Sequence, residues 1–326
     1  MKTFIAPMPR KLSKPWREGK PLFLQDESFF GEVESKGIGS IASQNLREDN
    51  LLPAALRELN KQGTIYVKGS GRGFNIFWKK DGVLFNVQSG SNNSKTGDMV
   101  QIGMFPLSWA LAKTVLKGDS DKKVCFSCPH SQSKGGTCYV RKGFDTSRGM
   151  QSKISHISYE RIPNYNSHTE RIVLALCKGR PVRFGTYGEP ILLGEELTSK
   201  ISKVATSWTG YTHRWMIPAM QWAKKYFMAS VENVTEMKAA VLAGWRVFYV
   251  NMDKNVTFVG TQYAPNVPKQ DRLVVCPASA EFIKAKKEKY PDLAIQDRKE
   301  ATCTTCKMCA GTIGTKVAAS IVINKH

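Results

Sequence analysis

From about residue 100 onward the chain repeats one unit: a short apolar run, a polar or glycine-bearing loop, then a stretch with helical spacing. PVRFGTYGEP (181–190) leads into ILLGEELTSKISKVA, TSWTGYTHRW (206–215) into MIPAMQWAKKY, and YFMASVEN (226–233) into VTEMKAAVLAG. WRVFYVNM (245–252), RLVVCPAS (272–279) and SIVINKH (320–326) continue the series. Strands alternating with helices favour a parallel sheet, because each helix returns the chain to the start of the next strand. The expectation is an α/β domain over 101–326, a partial or complete β/α barrel. Residues 1–100 read as a smaller β-rich N-terminal module with a helical interruption at LPAALRELNKQG (52–63). TIYVKG and GFNIFWKKDGVLFNVQSG read as strand, strand, turn, strand, with KKDG as the turn. GSGRG (69–73) lies between two strands rather than between a strand and a helix, so it is not read as a phosphate loop. SGSNNSKTGD (89–98) has turn chemistry throughout and reads as a linker or substrate loop.

In a β/α barrel the functional face is at the C-terminal ends of the strands. Reading each strand outward gives Glu189, His213, Ser230 and Glu232, Asn251 and Asp253, Cys276 and His326. Polar and metal-binding residues recur at the same point of successive units. That recurrence predicts a common functional rim, with Glu189 and His213 as catalytic candidates.

The eight cysteines sharpen the chemistry. Cys125, Cys128 and Cys138 stand in CFSCPHSQSKGGTC, Cys303, Cys306 and Cys309 in CTTCKMC, and Cys276 in VVCPAS. Cys177, inside IVLALC, reads as a small buried hydrophobe. The other seven are an odd number, and three cysteines at C-x-x-C-x-x-C spacing cannot all pair with one another. Metal or cluster ligation is the better reading. C-x-x-C-x-x-C suits a cubane iron–sulfur cluster, with Cys276 as the fourth thiolate; a four-thiolate zinc site looks the same from sequence. The upstream trio gives three thiolates, which would leave one iron of a [4Fe–4S] cluster open, or would make a zinc site if His130 closed it.

Charge points to a class of partner. Lys and Arg total 48 against 27 Asp and Glu, a net charge of +21. Lys113, Lys117, Lys122, Lys123, Lys134, Arg141, Lys142, Arg148 and Lys153 face only Asp119, Asp121 and Asp145 over the same stretch. An excess of this size favours DNA or RNA. No apolar run reaches the roughly 18–20 residues of a membrane helix, and the N-terminal run is too short for a secretory signal. A soluble, cytoplasmic protein is expected.

CFSCPHSQSKGGTCYVRKG, VRFGTYGEP, WTGYTHRW, MASVEN, GWRVFYV, VCPAS and TCTTCKMCAG occur in that order. The set, over about residues 90–326, resembles the phage and plasmid-borne "gene product 88" family. That resemblance implies a bacteriophage or other mobile-element origin and, with it, the host-cell cytoplasm. In general plan the chain is also similar to radical S-adenosylmethionine enzymes. That similarity implies a cluster on Cys125, Cys128 and Cys138, with Gly188 and Glu189 at the motif that contacts the methionine amino group. Ser230 is a further candidate cofactor contact, and CTTCKMC would hold an auxiliary cluster. The spacing departs from the usual C-x-x-x-C-x-x-C, which bears directly on S-adenosylmethionine binding.

Other schemes find less support. There is no G-x-S-x-G and no H-E-x-x-H, and His130, His156, His168, His213 and His326 never take the His-x-His spacing of rolling-circle nucleases. Tyr159 and Tyr165 remain candidates for a tyrosine nucleophile, and Glu160, Glu170 and Glu189 for a metal-dependent nuclease. Two function classes stand: an iron–sulfur or metalloenzyme acting on nucleic acid or nucleotide, and a non-catalytic or replication-type DNA-binding protein whose cysteine sites are structural.

Overall fold

The computed structural model describes residues 59–70, 73–90, 96, 98–116, 118–131, 134, 138, 151, 153–252, 261–262, 273–279, 282–284, 288, 301–314 and 319–324. Arg72, most of the 89–98 loop, Asp253, His326 and, in the basic stretch, Lys117, Arg141, Lys142, Asp145 and Arg148 lie outside the described residues, as do residues 1–58.

Four antiparallel strands open the described chain: β1 (Tyr66–Ser70), β2 (Gly73–Lys80), β3 (Val83–Gln88) and β4 (Val100–Pro106). The β2–β3 turn falls at Asp81-Gly82, both with positive φ (51° and 76°), as a two-residue hairpin that follows the sheet's twist requires. Strand β4 is buried along its whole length, as a strand covered on both faces should be. It also changes the sheet's direction: β5 (Pro181–Phe184) pairs with it in parallel, and β6 (Ser207–Thr209) pairs with β5 in parallel. The boundary expected at residue 100 therefore falls at the first residue of a strand that pairs with both segments.

A second six-stranded sheet has the order β10-β11-β12-β9-β8-β7. Its strands are β7 (Tyr211–Thr212), β8 (Met228–Val231), β9 (Val247–Asn251), β10 (Thr261–Gln262), β11 (Leu273–Val275) and β12 (Ser320–Asn324). All neighbours in it are parallel except β10 with β11. Strand β12, last in sequence, inserts between β9 and β11, so the strand order is not the sequential order of a simple β/α barrel. Among the described pairings none joins β1 to β10. The fold is mixed α/β.

Gly210 joins the two sheets. It lies between β6 and β7, donates its N–H to Cys309 O at 3.1 Å and accepts from Met228 N at 3.0 Å. One extended segment, 207–212, thus pairs with β5 over its first half and with β8 over its second.

Helices return the chain between parallel strands. Helix α1 (Leu107–Ala112) follows β4, and the single turn α2 (Lys122–Cys125) ends on a cysteine. Helix α3 (Ser167–Cys177) precedes β5, α4 (Glu195–Val204) precedes β6, and α5 (Val234–Leu242) precedes β9. Asn166 and Asn233 cap α3 and α5, each side chain accepting from the backbone N–H three residues on at 2.9 Å. In α4, Leu197 and Ile201 face the core while Glu195, Glu196 and Lys203 do not. Each such aliphatic burial is worth about 1.5–3 kcal/mol. Cys177 is fully buried, and burial pushes its thiol up to about 12, as for a packing residue. Among the described residues no helix is long and apolar enough to cross a membrane.

A Cβ on Gly210 would lie 2.7 Å from Phe227 Cδ1 and 3.2 Å from Phe184 Cβ. Gly210→Ala should therefore cost about 1–3 kcal/mol through overpacking, read as a lower urea midpoint. An unchanged midpoint would mean the junction is loose.

Candidate functional site at the ends of the parallel strands

The GTYGE loop after β5 is fixed along β4 and α2. Thr186 N donates to Ile102 O and Met104 N to Tyr187 O, both at 2.9 Å, and Glu189 N donates to Val124 O at 2.8 Å. Tyr187 stacks on Phe105 with centroids 5.5 Å apart, and its hydroxyl lies 3.3 Å from Asp121 Oδ2. Gly188 has φ +75°, and a Cβ there would lie 2.6 Å from Met104 O. Only glycine fits that conformation and that approach. Gly188 thus shapes the loop, and Glu189 is brought against the turn that carries Cys125.

Glu189 is 4% exposed and accepts three hydrogen bonds. Thr212 Oγ1 donates to Oε2 at 2.6 Å; His213 N donates to Oε1 at 3.0 Å, and His213 Nδ1 lies 3.1 Å from the same oxygen. The opposite ring nitrogen, Nε2, lies 3.0 Å from Glu232 Oε1 and 3.9 Å from Cys128 Sγ. His130 Nε2 lies 3.3 Å from the same Glu232 oxygen. Three neighbouring strand ends (β5, β7 and β8) and the cysteine loop therefore meet at one point.

Electrostatics follow from this crowding. Burial alone would pull His213 down, but hydrogen bonds to Cys128, Glu189 and Glu232 hold it well above its ordinary value. Burial would raise Glu232, yet His130 and His213 bring it to about 2. Burial, the Asp121 carboxylate and then the Cys128 thiol push Cys125 up, and Cys138 adds to this. Two carboxylates crowded around imidazoles make a place that favours an added cation.

The loop itself is tight. Cys128 N donates to Cys125 O at 2.9 Å, Ser131 N to Cys128 O at 3.0 Å and Cys138 N to His130 O at 2.9 Å. Phe126, between the first two cysteines, has φ +47° and ψ −119°, a conformation that costs an L-residue about 1–3 kcal/mol. The Arg214 guanidinium lies over its ring at 4.5 Å, tying the end of β7 to the loop.

The C-terminal cysteines converge elsewhere. Cys303 and Cys306 begin and end the one-turn helix α6 (Cys303–Cys306), which Thr302 and Thr305 close with a capping box. Cys276 follows β11 and donates its N–H to Val322 O at 2.8 Å. Burial, then Cys276, and after it Cys303 and Cys306 push the buried Cys309 thiol up, while a hydrogen bond with Tyr211 opposes them. The segment after Cys309 is clamped: Arg246 donates to Ala310 O and, at 2.7 Å, to Ala319 O, while Gly311 N donates to Tyr226 O at 2.9 Å.

Among the described residues His130, His213 and Glu232 are the one group of three such side chains whose ligand atoms lie within 4.8 Å of one another. Around a single tetrahedral ion, sulfurs would be about 3.8 Å apart, given metal–sulfur distances near 2.3 Å. Neither cysteine set is drawn together as a one-zinc cage.

Other expected residues sit apart from this mouth. Ser230 is buried in β8 and registers with Phe248, on the sheet face that Met228 and Tyr211 share, because strand side chains alternate. That is the face of Cys309, not of Thr212. Asn251 donates its amide to Asn324 at 3.2 Å. Tyr165 donates to Glu170 at 2.5 Å, Lys200 binds the same carboxylate at 2.7 Å, and burial raises the Tyr165 hydroxyl above its ordinary value. Glu160 bonds Ser158, two residues away. Lys153 is half-buried, held by Asn86 and Gln88 at 2.8 and 3.0 Å, and desolvation brings it down to about 8, so its ammonium is engaged by the sheet rather than presented on an open basic surface. Sequence reasoning missed Thr212, Tyr187 and Tyr211. The available signal was alternation within TGYTH, which puts Tyr211 and Thr212 on opposite faces. No protein-family model matches the chain, and comparison with curated proteins and with solved structures finds no match.

Thr212→Val should leave one buried Glu189 oxygen without its donor and cost about 1–3 kcal/mol in the metal-free protein. Chemical denaturation measures this, and equal stability would remove Thr212 from the account.

Proposed function

We propose that this chain is an iron–sulfur or other metal-dependent enzyme acting on nucleic acid or a nucleotide. One observation carries the reading: Glu189, His213 and Glu232, from three neighbouring strand ends, meet the loop bearing Cys125, Cys128 and Cys138. A site of this composition, crowded with thiols, imidazoles and carboxylates, suits metal chemistry more than a plain scaffold. Exposed Lys80, Lys122, Lys123 and Lys134 lie in or beside the same elements and would concentrate a polyanion there. In this reading the parallel strands form an arc of a β/α barrel, in a phage-type protein of the host cytoplasm.

The sequence-suggested form of the centre is a [4Fe–4S] cluster on the trio, with S-adenosylmethionine as cosubstrate. A cubane places each thiolate on a separate iron, so it asks for a wider thiol set than a single ion does. When bound, such a cluster would supply electron transfer. Glu189 would then receive the methionine ammonium, but Thr212 and His213 already occupy both its oxygens. That favours Glu189 as the group that orients His213. Cys276, Cys303, Cys306 and Cys309 would hold a second, structural or auxiliary cluster; zinc, the alternative metal, would require their thiols to draw closer together than they stand here. The competing reading, a DNA-binding protein with only structural metal, keeps the basic surface and drops the chemistry.

Anaerobic purification followed by iron, sulfide and zinc analysis tests this. The enzyme reading expects metal at the mouth, loss of activity in Cys128→Ala with the fold retained, and nucleic-acid affinity that falls steeply with log salt. Cys276→Ala should lower metal content and solubility together. Negligible binding to DNA and RNA at low salt, or a mouth that takes up no metal, would overturn it.

A further inference from the structure

We infer that His130 Nε2, His213 Nε2 and Glu232 Oε1 form a site for one divalent first-row transition-metal ion, with a coordination position left open. The inference rests on the proposed reading of the mouth as the reaction centre and names the ion that would serve it.

The geometry is already gathered. Both imidazole nitrogens lie within 3.3 Å of one Glu232 oxygen, and all three ligand atoms fall within 4.8 Å of one another. The ligands come from the end of β7, the end of β8 and the cysteine loop, so an ion would fasten the loop to the sheet. Two imidazoles and one carboxylate suit zinc, iron(II) or cobalt; magnesium and calcium prefer oxygen alone. Three protein ligands are the number found in catalytic rather than structural sites, where a fourth position holds water or substrate. Side chains 14 to 18% exposed leave a route to that position while excluding most solvent.

The surroundings are those of a metal-bound histidine. Glu189 sits against Nδ1 of His213, which directs Nε2 toward Glu232 and fixes the ring. Glu189 is itself held by Thr212 and by the His213 backbone. It is a positioning residue. Cys128 Sγ, 3.9 Å from His213 Nε2, is the next donor and would close the site if it moved in. The ion requires none of the other six cysteines expected to bind metal.

The test uses the full chain, handled anaerobically, stripped with chelator and reloaded with cobalt(II). Cobalt equivalents are counted by mass spectrometry and thiolate ligation is read from near-ultraviolet absorption. Glu232→Gln and His130→Gln should each lose one cobalt equivalent relative to the parent, with the thiolate signal of the C-terminal cysteines retained. Cys138→Ser should keep that equivalent, and Glu189→Gln should keep the ligands but weaken affinity about 10–100-fold. If Glu232→Gln does not fold, by circular dichroism, His130→Gln on the loop decides. Unchanged cobalt in His130→Gln, or loss of the same equivalent in Cys138→Ser, would overturn the inference. Absent nucleic-acid binding with the cobalt equivalent intact would remove the proposed substrate class and leave this site standing.

Discussion

A buried carboxylate needs donors, and how Glu189 finds them organises this molecule. Its own N–H is fixed to α2, and its oxygens are fixed to Thr212 and His213 at the end of β7. One residue therefore locks the turn that carries Cys125 to the neighbouring strand end. Removing its donors would leave charge in a dry place, a cost of several kcal/mol for an unpaired ion. The same bonds set the direction of His213, so structural need and the candidate chemistry depend on one contact.

The junction at Gly210 extends this economy. Because side chains alternate along a strand, Tyr211 and Thr212 face opposite sides of β7. Tyr211 bonds Cys309, with Phe248 4.1 Å away between ring centroids, while Thr212 bonds Glu189. Two candidate metal regions thus lie back to back across one two-residue strand. A glycine is required just before it, where Phe184 and Phe227 close in.

Much of this was legible in the sequence. Alternating apolar runs and helical patterns gave the parallel strands, KKDG gave the hairpin, and reading outward from each strand gave Glu189, His213 and Glu232. Those signals are local, and local periodicity survives folding. Strand order did not show itself: β12 slips between β9 and β11 because long-range packing, with Arg246 clamping the last loop, decides which neighbour a final strand takes. The face that Ser230 takes was hidden for a related reason, since it depends on register with Phe248. The partnership of His130 with Glu232 joins residues about a hundred positions apart, and no spacing rule reaches that far. The positive φ of Gly188 and its close approach to Met104 give that glycine a backbone reason that the motif alone did not show.

The most direct measurement is anomalous diffraction at the metal edge from crystals of metal-loaded protein. The account predicts an anomalous peak at the strand-end mouth, within coordination distance of His213 Nε2 and Glu232, separate from any peak among Cys276, Cys303, Cys306 and Cys309. Metal confined to the C-terminal cysteines, with the mouth unchanged and bare, would contradict it.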